Sequence, residues 1–251
     1  MGVANSVNST IYQNNFLVQG TTSGSTVTST VSNSSNNASS SAANHISVGG
    51  GTSDDAYMRF AVGTTAQYAL GIDNSDSDKF KLSYATSGAT PSSATNIMAI
   101  DSSGNVSWPV QPCFLAVLGT TTGAVTGDGT GYAIVFDTEK YDVGANFASS
   151  VFTAPVTGQY ALGFSFGAEG ITNQGAFQSF ITTTSQTLYT SYGSAQALGG
   201  FGFMGKFGSV VLKLTAADQA SFTITFSSGT KGVKAAGAVS STTWAYAYLL
   251  S

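Results

Sequence analysis

An all-β fold is predicted for this chain by three features of its sequence. Asp, Glu, Lys and Arg make up only 8% of the 251 residues, against about 25% in ordinary soluble domains. Ser, Thr, Asn and Gly take their place, so few strong helix formers are present. Thirty glycines against four prolines favour many tight turns. Short runs in which apolar and polar residues alternate recur along the chain, the period of a half-buried strand.

The N-terminal part is the poorest in structure signals. Residues 21–44, "TTSGSTVTSTVSNSSNNASSSAAN", are of low complexity. Val27 and Val31 suit at most a weak strand, and the remainder has the composition of a disordered segment. From His45 the reading sharpens. "HISV" (45–48), "AYMRFAV" (56–62), "QYALGID" (67–73), "KFKLSY" (79–84), "NIMAID" (96–101) and "NVSW" (105–108) read as strands between turn clusters. In "KFKLSY", Phe80, Leu82 and Tyr84 share one face. "DSSGN" (101–105) is a hairpin turn with glycine supplying the positive φ. Each of these strands carries few large apolar residues. Burial contributes roughly 25 cal/mol per Å² against about 1.5 kcal/mol of entropy per ordered residue. So thin a segment is expected to pack against copies of itself.

Composition changes near Trp108 and Pro109, and residues 111–251 read as a dense β domain. Its strands are "CFLAVLG" (113–119), "AIVFD" (133–137), "SVFTAP" (150–155), "GQYALGFSF" (158–166), "FQSFITTT" (177–184), "QTLYTSYG" (186–193), "SVVLKLT" (209–215), "ASFTITFS" (220–227) and "TTWAYAYLL" (242–250). Strands of this number and length joined by Gly-rich turns predict a β-sandwich such as a jelly roll. Tyr160, Leu162, Phe164 and Phe166 share a face, as do Phe222, Ile224 and Phe226. The last strand reaches the last residue, so the C-terminus is expected to be tied into a sheet.

Several functions are disfavoured by the residues present. A net charge of −4, with Arg59 the only arginine and the lysines scattered, does not suit nucleic acid, whose binding needs clustered cations. The N-terminus lacks the basic and apolar segments of a secretory signal. No run of about 18 apolar residues occurs, so no membrane insertion is expected. His45 is the only histidine and Cys113 the only cysteine, which serves zinc poorly and leaves a catalytic triad its base in the low-complexity region. Cys113 reads as a small buried apolar residue. Glu139 and Glu169 are the only glutamates. Asp128, Asp137, Glu139, Asp142 and Asp218 could supply paired carboxylates, but sequence does not show that any two converge. No enzyme and no cofactor is therefore expected.

Three further stretches carry a binding reading beside a plainer one. "DNSDSD" (73–78) gathers Asp73, Asp76 and Asp78 as possible Ca²⁺ ligands, without the spacing of an EF-hand. A solvated turn is the simpler reading. "TGDGTGY" (126–132) lacks the Lys-Ser/Thr of a phosphate loop and reads as a connection between strands. Tyr189 and Tyr192, beside the Gly-rich "YGSAQALGGFGFMGKFG" (192–208), are the candidate recognition surface, because tyrosine offers stacking area and a hydroxyl together.

The stretch "FTAPVTGQYALGFSF" (152–166) carries a resemblance to a known family. With Phe136 and Tyr141 before it, its Phe152, Pro155, Gly158 and Tyr160 resemble the central motif of C1q-like domains, relatives of the tumour-necrosis-factor jelly roll. Leu212, Leu214 and Asp218 resemble that family's late turn, and Trp244, Tyr246, Tyr248 and Leu249 its closing aromatic strand. Ala217 stands where the family has glycine. The resemblance spans residues 111–251 and implies a fold-signature core of Phe136, Phe152, Pro155, Gly158, Tyr160, Phe164, Trp244 and Tyr246. The flanking wording is similar to C1q-like domains that end structural proteins of marine bacteriophages. Residues 27–107 resemble β-rich shaft modules of phage tail fibres. Together these imply a homotrimeric virion appendage, assembled in host cytoplasm and released by lysis. Residues 1–44 would attach to other virion proteins, 45–110 would form a shaft, and 111–251 a head that recognises a host surface glycan or protein. A capsid fibre or decoration protein without a receptor, or a bacterial C1q-like adhesin, are the alternatives.

Overall fold

The computed structural model describes residues 30–34, 41–195, 202–237 and 242–251. Its contacts divide the chain into two units, Met1–Gly50 and Gly51–Ser251. In the first unit the described residues are exposed and outside regular elements. Val31 and residues 45–48, both expected in strands, are in none, and Val27 lies outside the described residues. The large apolar side chains there, Val31, Ile46 and Val48, stand exposed.

The second unit contains two sets of strands. The first is a five-stranded antiparallel meander of β1 (Ala56–Val62), β2 (Ala66–Asp73), β3 (Lys79–Ala85), β4 (Thr95–Ile100) and β5 (Val106–Ser107), paired in chain order. Its register builds two chemically different faces. On one, Met58, Leu70, Leu82 and Met98 form a row across four strands. Phe60, Tyr68 and Tyr84 form the next row. Ala56, Ile72, Phe80, Ile100 and Val106 form a third. None of these side chains is buried. The other face presents Gln67, Ala69, Asp73, Lys81, Ser83 and Ala99, and every one is buried. The 86–94 loop closes over it. Asp55 accepts hydrogen bonds from the Ser92 amide and hydroxyl, and the Ala89 amide donates to Gln67.

The second set is a sandwich of two antiparallel sheets. Its principal strands are β6 (Cys113–Val117), β11 (Val151–Thr153), β12 (Gly158–Glu169), β13 (Ala176–Thr183), β14 (Thr187–Ser194), β15 (Phe203–Leu214), β16 (Gln219–Ser227) and β18 (Trp244–Leu249). Shorter strands fill the margins: β7 (Thr122–Thr126), β8 (Gly131–Ala133), β9 (Thr138–Val143), β10 (Phe147–Ala148) and β17 (Val233–Ala236). One sheet runs β9-β6-β18-β12-β15 and the other β10-β11-β16-β13-β14. Among the eight principal strands, the first sheet therefore holds the first, eighth, third and sixth, and the second the second, seventh, fourth and fifth. That order is the jelly roll, two interleaved Greek keys. Of the strands expected in 111–251, "AIVFD" departs most, because only Ala133 belongs to one and 134–137 run outside the ladders.

Phenylalanine fills the sandwich. Phe114 stacks on Phe147 with centroids 4.0 Å apart, and Phe222 meets Phe114, Phe136 and Phe164. Phe166 and Phe177 both meet Phe226. The 152–166 stretch explains itself in this setting. Phe152 and Tyr160 enter the core in edge contact, while Pro155 turns the chain at the surface. The Tyr160 hydroxyl donates back to the Val156 carbonyl at 2.7 Å, so the buried ring leaves no hydroxyl unpaired. Gly158 is needed for close approach: a Cβ there would lie 2.5 Å from the Ser251 carbonyl oxygen. The C-terminus is thereby held against β12, with the Gln159 amide donating to Ser251 at 2.7 Å.

The late turn carries strain where the chain has alanine instead of glycine. Ala217 sits at φ 72°, a left-handed conformation that costs an L-residue roughly 1–2 kcal/mol. It is held by the hydrogen bond its amide donates to the Ala154 carbonyl and by Asp218, whose carboxylate accepts from the Thr215 amide. Ala217→Gly should therefore raise the thermal midpoint, by relief of about 1 kcal/mol less the extra backbone freedom glycine brings to the unfolded chain. Differential scanning calorimetry checks it, and an unchanged or lower midpoint would contradict the strain.

Candidate functional site

The outward face of the β9-β6-β18-β12-β15 sheet is the most unusual surface of the sandwich. In β12 the large side chains point inward, leaving Ala161, Gly163 and Ser165 outward. β18 does the reverse. Ala245 and Ala247 are buried in the core, and Trp244, Tyr246 and Tyr248 face out. The two patterns are complementary, because the bulky inner residues of β12 leave room for only small ones beside them. Trp244 and Tyr246 therefore lie on the outer face and not in the core expected for them.

Register assembles these residues into a ladder. Ser165 stands between Phe207 and Trp244, Gly163 between Ser209 and Tyr246, and Ala161 between Val211 and Tyr248. Trp244 lies 5.4 Å from Phe207 and 6.0 Å from Tyr246, which stacks on Tyr248 at 5.8 Å. The Tyr246 ring lies across Gly163, where a Cβ would come within 2.7 Å of it. Phe207 is 52% exposed and Val211 60%. On the far side of the ladder, Cys113, Leu115 and Tyr141 line a groove of about 500 Å³ with Trp244, Tyr246 and Tyr248. Cys113 is half-buried on this outer face rather than within the core, because Phe114 takes the inward position. Burial and the nearby Asp142 charge push the Cys113 thiol above its usual range.

The proposed recognition tyrosines lie on the other sheet. Three residues apart, Tyr189 and Tyr192 would fall on opposite faces of a regular strand. A bulge between Ser179 and Phe180 corrects this: Tyr189 pairs with Phe180 and Tyr192 with Gln178, two positions apart on β13. Both tyrosines face outward, 60% and 79% exposed, and Tyr189 packs on Phe180 at 5.5 Å. Thr190 is the residue displaced, and its hydroxyl bonds Ser179 at 2.9 Å. Of the Gly-rich stretch beside them, 196–201 lies outside the described residues, and 203–208 belong to β15.

The four aspartates weighed for chemistry are engaged in holding turns. Asp128 accepts from the Thr130 amide, Asp137 from Gly119 and Thr120, Asp142 from Asn146 and Phe147, and Asp218 from Thr215. The Gly119 bond is foremost in holding Asp137 below the ordinary carboxylate range. "TGDGTGY" joins β7 to β8, with Asp128 bracing its turn.

At "DNSDSD" the cation is supplied by the chain itself. The Lys81 ammonium lies 2.6 Å from Asp73 and 2.7 Å from Asp76, with its side chain 4% exposed. Asp76 also pairs with Lys79 at 2.8 Å, and Ser75 donates its amide and hydroxyl to Asp73. Among the described residues no cluster of metal-binding side chains is formed. Burial pushes Asp73 up, but the bonds from Lys81 and Ser75 and the Lys81 charge outweigh it and hold its pKa below the ordinary value. Hydrogen bonds from Lys79 and Lys81 lower Asp76 to about 2. Burial disfavours the Lys81 charge, but bonding to both carboxylates leaves its pKa raised.

No family model matches the sequence, and no curated protein does either. Solved structures do. The globular domain of zebrafish complement 1qA is 18% identical, with 56% of this chain covering 98% of that one at a TM-score of 0.39. Murine APRIL at pH 8.0 is 12% identical, with 56% and 99% covered and a TM-score of 0.40. The pH 5.0 form of murine APRIL is 10% identical over the same shares, at 0.41. At these values the assignment of the jelly roll rests on the strand order given above.

The ion cluster fixes a pH dependence. Two carboxylates with lowered folded pKa values contribute fully above about 3.8, their ordinary value, and lose that contribution as pH falls toward 2. The raised Lys81 contributes fully below its ordinary value of about 10.4 and loses it only above. The thermal midpoint should be level between pH 5 and 9 and fall as the pH drops from about 4 to 2. In Lys81→Met, which strands Asp73 without its partner, the midpoint at neutral pH should already be low. A wild-type midpoint that holds at pH 2 would contradict the role of the cluster.

Proposed function

We propose that this chain is the subunit of a threefold bacteriophage appendage, a tail fibre that binds without bond chemistry. Residues 1–44 dock on the particle, the five-stranded meander lies in the shaft, and the jelly roll is the head that meets the host surface. The observation that carries the reading is the uncovered aromatic ladder of Phe207, Trp244, Tyr246 and Tyr248. Contiguous apolar surface of this kind marks an interaction site, and its alternation with Ala161, Gly163 and Ser165 gives ridge and trough on one face. A copy related by a closed rotation presents the same ridge and trough, as a cyclic assembly requires. The resemblance of residues 27–107 to phage fibre shaft modules, and of the C1q-like part to domains that end phage structural proteins, supports the virion setting. The engagement of four aspartates in turns supports binding over catalysis.

Receptor contact is assigned to Tyr189 and Tyr192, which stand on the sheet opposite the ladder and so stay open when the ladder is covered. Their rings and hydroxyls suit a surface glycan. Three heads on one particle convert weak single contacts into avidity, since later contacts are effectively intramolecular. Adsorption of the labelled full chain to a panel of bacterial cells tests this. A bound strain should be found, with binding falling at least about tenfold in Tyr189→Ala/Tyr192→Ala and in a ladder-breaking Tyr246→Asp. Equal adsorption by wild type and both variants would overturn the receptor assignment.

A further inference from the structure

The two faces of the β1–β5 meander are treated in opposite ways by the rest of the chain. On the face with Lys81, Asp73 and Gln67 these residues are buried beneath the 86–94 loop, and the β1 edge at Arg59 and Ala61 stays exposed. The face with Leu70, Leu82, Met98, Phe60, Tyr68 and Ile72 carries no charged residue, and nothing among the described residues buries it. Exposure there reaches 56% at Phe60 and 73% at Val62. A single layer of sheet does not normally stand in water with an apolar face bare. We infer that this face is an interface between copies of this chain, each copy setting its Leu70–Leu82–Met98 row toward the rows of its neighbours around one axis.

Scale and symmetry argue for a second copy as the occupant. Five strands about 4.8 Å apart and six residues of about 3.4 Å give a face on the order of 20 by 20 Å. Side chains standing on it raise the accessible area toward the roughly 800 Å² that each partner brings to a stable interface. An uncharged face suits a like face, with no ion pair to satisfy and no repulsion to overcome. A closed assembly has one rotation operator that all its interfaces obey. The inference therefore takes its number of copies, three, from the assembly proposed for the jelly roll. It adds that the meander closes into a three-sided prism with its polar, loop-covered faces outward.

Cross-linking of the full-length chain tests this with Cys113→Ser as background, which removes the native thiol. Leu82→Cys and, as a more exposed second position, Tyr68→Cys place a thiol on the apolar face. Arg59→Cys places one on the opposite face of β1. With a bismaleimide matched to the roughly 10 Å between packed sheets, both apolar-face variants should convert most of the chain to covalent oligomers. Arg59→Cys should stay at background. Absence of cross-links from Leu82→Cys and Tyr68→Cys in a chain that still sediments as an oligomer overturns the inference and leaves the jelly-roll assembly standing. That result would point to another occupant, such as the N-terminal segment of the same chain. A chain that sediments as a monomer overturns both.

Discussion

A sheet with apolar residues on both faces has to be covered on both, and this constraint organises the molecule. In the sandwich, β12 turns Tyr160, Leu162, Phe164 and Phe166 to the core and keeps only small residues outside. Beside it, β18 turns alanines inward and aromatics outward. The core is thus filled by one strand and the surface loaded with aromatic rings by the next. In the meander the same division recurs between an ion-bearing face closed by the chain's own loop and an apolar face left open. Both uncovered faces point to association. The meander's carries no charged residue, and on the ladder's sheet the charges of Glu169 and Lys213 fall at the ends of β12 and β15.

The turn chemistry supports this arrangement at small, identifiable points. Gly158 lets the C-terminal residues close against β12, which brings β18 beside β12 and so positions the ladder over Gly163. Four aspartates each brace a turn by accepting backbone amides. In a chain so poor in charge, most of those present are committed to local structure. Lys81 bridges two carboxylates of the 73–78 turn, and together with Lys79 balances charges that would otherwise repel each other.

Much of the fold was legible in the sequence because period-two alternation is a direct image of sheet burial. Runs such as 56–62, 79–84 and 220–227 coincide closely with strands, and Phe152, Tyr160 and Phe164 lie inside the sandwich. Short margin strands such as β7, β9 and β17 escaped notice. They carry few large apolar residues and exist through pairing with distant partners such as Val233 with Thr126. The ladder was less legible still. Alternation shows that Trp244, Tyr246 and Tyr248 share a face, not which face, and a one-residue slip exchanges the two. The deciding signal lay in β12, whose inner residues are already large enough to demand alanine from β18. The shared face of Tyr189 and Tyr192 depends on a bulge that no spacing in β14 announces.

A chain that presents one aromatic ladder and one apolar sheet face gains specificity only when both are covered by the same symmetric partner. The most direct measurement is the solution mass of the intact chain by light scattering at micromolar concentration. Threefold association through these faces predicts a single species at three times the monomer mass. A monodisperse monomer, with both faces exposed to water, would contradict it.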